Sequence, residues 1–209
     1  MINREIIRLK IVQLTYAYYQ NGNNNIDAAE KELFFSLSKA YDLYNYMLAL
    51  MVSITRESRR RLEIEQTRSK REGKEQPSTK LADNRFIAQL EVNKMLCNFQ
   101  ESQKKTWDNE PEFIKKMYEQ IVNSQIYADY IANEENNYEA DREFWRKIYR
   151  TLIQENEDLD VLLEEQSLYW NDDKEIVDTF VLKTIKRFEE KSKSKQELLP
   201  EYKDEEDRE

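Results

Sequence analysis

Apolar side chains recur every three or four residues along most of this chain, which is the spacing of amphipathic helices. The clearest stripe has the spacing 4-4-3-4-3 and consists of Leu33, Leu37, Tyr41, Tyr44, Leu48 and Met51. It predicts one helix of about 30 residues or more, beginning near Asp27, where Glu30 completes a capping box. Weaker stripes predict further helices over residues 3–20, 85–106, 109–121, 124–132 and 172–190. The pattern therefore predicts an all-α protein, a multi-helix bundle.

The first predicted helix is apolar over nearly its whole circumference, which is typical of a central helix in a bundle. Its tyrosines, at positions 16, 18 and 19, are at such spacing more often part of a core than platforms for stacked bases. Arg4 and Arg8 lie one turn apart in the narrow polar gap, and Lys10 lies on another polar edge. Two guanidinium groups near a helix N-terminus suit phosphate binding. Spacing alone nevertheless favours two solvated arginines, or arginines paired with acids of a neighbouring helix.

A second basic region follows in the long helix. Residues 56–74 hold eight basic and four acidic side chains, with Arg56, Arg59, Arg60 and Arg61 inside six positions. Such a cluster can track a nucleic-acid backbone, but the interleaved glutamates make a solvated helix face equally plausible. Residues 72–84 contain Gly73 and Pro77 and predict a loop. We expect one helical domain over residues 1–190, with a basic helix end and loop at 56–84, and a disordered acidic tail over 191–209.

One stretch of sequence recurs within the chain. Glu112-Phe113-x2-Lys116-x-Tyr118 returns 31 residues later as Glu143-Phe144-x2-Lys147-x-Tyr149, and each copy predicts a helix, a break and a shorter helix. A true internal repeat and the separate packing requirements of two similar helices explain this recurrence equally well.

The composition excludes several kinds of chemistry. The 209 residues include no histidine, one cysteine and two glycines, and the net charge is −9. Without histidine there is no Ser-His-Asp or Cys-His nucleophile, and two distant glycines cannot form a phosphate-binding loop. We therefore expect no enzyme, no cofactor and no metal site. No apolar run is long enough for a membrane span, and the charged start at residues 1–5 lacks the apolar core of a signal peptide, so we expect a cytoplasmic protein without a membrane partner.

Two segments carry a resemblance to a known family. The pattern Arg4-x3-Arg8-x4-Gln13-x2-Tyr16 resembles the opening helix of the NusB family of bacterial transcription antitermination factors. Residues 141–188 resemble a second stretch of that family, with an Asp-x-x-Phe helix and a Ser-x-x-Trp turn at Asp141, Phe144, Ser167 and Trp170. The run Glu30-Lys31-Glu32-Leu33 and the long tyrosine-rich helix after it are similar to the extended NusB proteins of Bacteroidetes.

The resemblance implies both a fold and a function. NusB proteins are all-helical, pair with the ribosomal protein NusE and bind boxA RNA within the transcription elongation complex. The resemblance implies RNA contact by Arg4 and Arg8, with Lys10 as a further candidate. It also implies a packing or orienting role for Gln13 and Tyr16. We expect an RNA-binding antitermination factor. The alternative is a helical protein-interaction scaffold without nucleic-acid binding, and self-association stays open in both cases.

The chain also departs from the family. The Asn-Glu-Ala helix and the Phe-Val-Asn-Gly turn of the family's C-terminal half do not occur in this sequence. Residues 56–140 have no counterpart in compact members and would form an elongated helical insert. These departures favour a shortened polypeptide, which puts the NusE surface and part of the RNA platform in doubt.

Overall fold

A computed structural model describes residues 1–20, 22, 25–191 and 196–202. Its nine α-helices in these residues are α1 (Arg4–Gln20), α2 (Ile26–Glu72), α3 (Arg85–Glu91), α4 (Lys94–Ser102), α5 (Pro111–Val122), α6 (Gln125–Ala132), α7 (Tyr138–Ile148), α8 (Glu157–Gln166) and α9 (Lys174–Arg187). A 3₁₀ turn at Trp107–Asn109 precedes α5, and a π-helical turn at Tyr149–Ile153 extends α7. In the described residues the only β-pairing is one isolated bridge, so the predicted all-α fold class is confirmed.

The chain divides into two compact units. The first comprises Met1–Tyr44, Glu157–Val181 and Leu198–Glu209, and the second comprises Asn45–Asn156 and Leu182–Glu197. The helices α2 and α9 each contribute residues to both. Both units include residues beyond 190, where we expect the helical domain to end. Among the described residues, no helix combines the length and the apolar character that crossing a membrane requires.

The predicted helix over residues 85–106 is two helices, because Asn93 interrupts it. The Asn93 side-chain oxygen accepts hydrogen bonds from the backbone amides of Met95 (3.1 Å) and Leu96 (3.3 Å), and so caps the start of α4. Its amide group donates to the Gln196 carbonyl at 3.1 Å. An asparagine whose side chain competes for backbone groups favours a cap over a helix interior. The apolar periodicity, which predicts one continuous helix over residues 85–106, does not reveal this break.

The position of α1 differs from the sequence-based expectation of a central helix. Within α1, Ile6 and Lys10 are buried, whereas Val12, Tyr16 and Tyr19 are 67%, 66% and 78% exposed. The apolar circumference of α1 therefore does not mean that the helix is buried on all sides. One narrow side of α1 packs against its unit, and the opposite apolar side faces solvent.

The predicted acidic tail is only partly described. Residues 192–195 and 203–209 lie outside the described residues, and for them disorder stays a prediction. Between these segments, Leu198 and Leu199 are buried, and the Tyr44 hydroxyl accepts a hydrogen bond from the Leu199 amide at 3.1 Å. Ile2 forms the isolated bridge with Tyr202. Two leucines in the acidic stretch therefore belong to the core of the first unit, since apolar burial outweighs the charge of the sequence around them.

Two tryptophans tie loops to α2. The Trp170 indole donates to the Lys39 carbonyl at 2.9 Å in the first unit. In the second unit, the Trp107 indole donates to the Tyr46 carbonyl at 2.7 Å and stacks on the Tyr46 ring at 4.2 Å. Each indole buries a large apolar ring while its N–H stays satisfied, which explains why tryptophan occupies these positions.

A buried polar cluster joins α3, α6 and α7 in the second unit. Its members, Asn84, Tyr130 and Asp141, are at most 6% exposed. The Tyr130 hydroxyl donates to Asp141 Oδ1 at 2.6 Å, and Asp141 Oδ2 accepts from the Arg85 amide at 2.9 Å, in the first turn of α3. Asn84 caps the same helix by accepting from the Ile87 amide at 3.1 Å. Burial, together with the hydrogen bond to Asp141, raises the pKa of Tyr130, so its hydroxyl remains a donor.

The loop between α2 and α3 is held by the same cluster. Lys80 Nζ donates to the carbonyls of Tyr130 and Asn133, both at 2.7 Å, at the C-terminal end of α6. A cation at this end of a helix satisfies carbonyls that have no partner within the helix. The ammonium group also lies 4.6 Å from the centre of the Tyr130 ring. The loop predicted from Gly73 and Pro77 is therefore anchored at its end.

Replacing Asp141 with alanine should strongly destabilise the second unit. The substitution leaves the partly buried Arg85 amide without its acceptor, and the Tyr130 hydroxyl with the Lys80 carbonyl at 3.1 Å in place of the carboxylate at 2.6 Å, which costs about 1–3 kcal/mol of unfolding free energy. Urea denaturation followed by circular dichroism measures the change. Glu135→Ala, which removes an exposed carboxylate, is the control and should change stability by less than about 0.5 kcal/mol. Equal effects of the two substitutions would contradict a structural role for the cluster.

Candidate nucleic-acid interface

The start of α1 is fixed by Asn3. Its side-chain oxygen accepts hydrogen bonds from the backbone amides of Glu5 and Ile6, both at 3.1 Å. An asparagine cap satisfies amides that have no partner inside the helix. The cap sets where the helix begins, so Arg4 and Arg8 lie in its first two turns.

The buried side of α1 is held by two polar contacts with the segment before α9. Lys10 Nζ lies 2.6 Å from Asp173 Oδ1, and the two side chains are 3% and 0% exposed. Burial raises the pKa of Asp173 and outweighs the opposing effect of Lys10. Next to it, Gln13 Nε2 donates to Asp172 Oδ2 at 3.3 Å.

The solvent side of α1 combines basic and aromatic groups. Because an α-helix turns about 100° per residue, Arg4, Arg8, Val12 and Tyr19 fall within about 80° of one another, and Tyr16 lies about 40° further. All five are exposed. Neither arginine has an ion-pair or side-chain hydrogen-bond partner among the described residues. We call these five residues the basic–aromatic face.

The structure places the five predicted site residues in three situations. Arg4 and Arg8 are exposed side by side. The structure corrects the prediction that Lys10 is a further RNA contact. Its ammonium group is buried against Asp173 and does not belong to the surface of the two arginines. Gln13 holds the helix through Asp172, and Tyr16 is exposed, with its hydroxyl accepting from the Gln20 amide group at 2.6 Å. Tyr19 adds an exposed ring, although its spacing favours a place in a core. Periodicity alone cannot tell which apolar side of a helix is covered.

The second basic region is largely neutralised. Arg56 and Arg59 bind Glu91 at 2.9 and 2.7 Å, and Arg60 and Arg61 bind Glu57 at 2.7 and 2.8 Å. Arg61, Arg68 and Lys74 have further acidic partners within the second unit. The structure therefore favours the solvated, ion-paired interpretation for most of residues 56–74. Lys70 and Arg71 have no such partner in the described part of the chain.

The ion pairs shift the pKa values of the two acceptors. The hydrogen bond from Arg60, with Arg61 assisting, lowers the pKa of Glu57 against the effect of burial. Burial alone would raise the pKa of Glu91, but the hydrogen bonds from Arg59 and Arg56 outweigh it, and the net shift is downward. Both carboxylates therefore stay charged and keep the four arginines engaged.

The fold and the face define an all-helical protein with an exposed basic–aromatic helix. No family model, curated protein or solved structure matches this chain. Over residues 1–20, 22, 25–191 and 196–202, no group of three or more cysteine or acidic side chains is arranged to hold a metal ion. Any function must therefore be argued from the site itself.

Replacing Lys10 with methionine should destabilise the first unit by about 3–5 kcal/mol, because it leaves the buried Asp173 carboxylate without its counter-ion. The double variant Lys10→Met/Asp173→Asn should recover part of the loss, since no buried charge remains. Arg8→Met removes an exposed cation from the same helix and should change stability by less than about 0.5 kcal/mol. Chemical denaturation measures all three variants. A Lys10 variant as stable as the Arg8 variant would show that the ion pair is not structural.

Replacing Glu91 with glutamine should weaken the second unit in a pH-dependent way. Because folding lowers the pKa of Glu91 below its ordinary value of 4.5, the stabilisation is present above that pH and is lost as the pH falls. We expect wild type to exceed Glu91→Gln by about 1–2 kcal/mol at pH 7, with the difference shrinking towards pH 3. Urea denaturation across this pH range measures it. A constant difference would contradict the ion-pair account.

Proposed function

We propose that this protein is an RNA-binding transcription antitermination factor of the NusB type. It would contact boxA-type nascent RNA through the basic–aromatic face, together with the ribosomal protein NusE. The observation that carries the proposal is that Arg4 and Arg8 are exposed and have no acidic partner among the described residues. All four arginines of residues 56–61 are, by contrast, paired with Glu57 or Glu91.

The chemistry of the face suits single-stranded RNA. Guanidinium groups bind phosphate oxygens with charge-assisted hydrogen bonds. Arg4 and Arg8 lie about 6 Å apart along the helix axis, since each residue rises 1.5 Å. Exposed aromatic rings stack on unpaired bases of any sequence, and Tyr16 and Tyr19 offer such rings beside the arginines. Lys10 is left out of this role and acts, with Gln13, in holding the helix in place.

The test is fluorescence anisotropy with a labelled single-stranded RNA that carries a boxA-type element. Binding should weaken with salt, and Arg4→Ala/Arg8→Ala should lower both the affinity and the salt dependence. For single strands each lost phosphate contact reduces the slope of log K against log salt by about 0.7, so the pair should reduce it by about 1.4. Adding NusE should raise the affinity of wild type.

The matched control is Arg68→Ala/Arg71→Ala, which removes two exposed cations from α2. It should leave RNA affinity within about twofold of wild type, whereas the α1 pair should weaken it by tenfold or more. If the α2 pair has the larger effect, the basic end of α2 is the RNA surface and the assignment to α1 is wrong. Salt-insensitive binding would argue against phosphate contact at either place.

A helical interaction scaffold is the second candidate. The first unit exposes large apolar side chains beyond the basic–aromatic face, including Ile26 at 75% and Leu168 at 86%. Exposed apolar groups in such number are typical of protein-binding surfaces. This function predicts concentration-dependent association in light scattering and no affinity for RNA, the opposite of the outcome expected above.

A further inference from the structure

A groove between α6 and α7 lies in the second unit, and its volume is about 400 Å³. Its floor contains the rings of Tyr130 and Phe144, which stack with their centres 4.1 Å apart. Both rings are buried, and Tyr130 also belongs to the polar cluster with Asp141. The floor of the groove is therefore rigidly held by the core of the unit.

The rim of the groove is acidic. Asp129, Glu135, Glu139 and Glu143 line it, with Lys147 as the one basic lining residue. A rim of this kind repels the phosphates of RNA, so the groove is not an extension of the basic–aromatic face. The described acids also form no metal-binding group. Neither a nucleic acid nor a metal ion suits this place.

The four acids are not equally neutralised. Glu143 accepts two hydrogen bonds from Arg146, at 2.6 and 2.7 Å, and Glu139 pairs with Arg142. Among the described residues, Asp129 accepts only from the neutral side-chain amide of Gln125, at 2.7 Å. The Glu135 carboxylate has no partner in the part of the chain that the structure describes. Asp129 and Glu135 thus present negative charge that no cation of the described residues neutralises.

We propose that this groove binds a cationic segment of a partner protein, with an arginine or lysine side chain inserted between α6 and α7. The aliphatic stem would lie along Ile126 and Ala140, while the charged end would meet Asp129 and Glu135. Long basic side chains combine an apolar stem with a charged head, which matches an acidic rim above an apolar wall. The charge complementarity selects a basic protein segment over an acidic or neutral one.

Fluorescence anisotropy with a labelled octapeptide of alternating alanine and arginine tests the proposal. Asp129→Asn/Glu135→Gln should weaken binding at least fivefold. The control Glu63→Gln/Glu65→Gln removes two exposed acids from α2 and the same net charge, and it should stay within twofold of wild type. Equal effects of the two pairs would mean diffuse attraction to an acidic protein, which overturns the proposal.

A second variant separates the groove from its charge. Ala140→Leu fills the space between α6 and α7 while leaving every carboxylate in place, so it should weaken the arginine peptide at least fivefold. Circular dichroism establishes that each variant is folded. Wild-type affinity in Ala140→Leu, or no binding of the peptide by wild type at 1 mM, overturns the proposal. An octapeptide of alternating alanine and glutamine should not bind.

Discussion

The hydrogen bond between Tyr130 and Asp141 is the interaction on which the second unit depends most. The Asp141 carboxylate lies in α7, yet it accepts from the first turn of α3 and from the hydroxyl of α6. A buried carboxylate is costly unless its oxygens are satisfied, and both oxygens are satisfied only when the three helices meet. Asn84 and Lys80 then attach the preceding loop to the same point. The arrangement also supports the floor of the acidic groove, since Tyr130 belongs to both.

The first unit depends on a comparable device at Lys10 and Asp173. This ion pair joins α1 to the segment before α9 at a place where both side chains are excluded from water. The pair fixes the rotation of α1 about its axis. By doing so it turns Arg4 and Arg8 outward, which is the condition for the proposed contact with RNA. Lys10, which the sequence predicts as a residue that contacts RNA, thus holds the helix that carries Arg4 and Arg8 in place.

The charges that this chain can offer to a partner depend on which side chains are ion-paired and not on the net charge. The net charge of −9 suggests little affinity for RNA, and residues 56–61 suggest much. Glu57 and Glu91 bind the four arginines of that stretch, whereas the two arginines of α1 have no acidic partner among the described residues. The acidic groove shows the reverse, since no cation in the described parts of the chain pairs with Asp129 or Glu135. The ion pairs within the chain therefore decide which charges remain available to a partner.

The sequence by itself determined the helical class and most helix positions, because periodicity, caps and the scarcity of glycine act locally. It located the long α2, the loop from Gly73 and the helix α5, whose start it placed two residues before Pro111. It did not reveal the break at Asn93, since side-chain capping competes with a helix pattern that continues through it. Only the tertiary structure decided which side of α1 is buried, which arginines are paired and which acids are free. Those outcomes depend on residues far apart in the chain, such as Lys10 and Asp173, whose proximity no local pattern records.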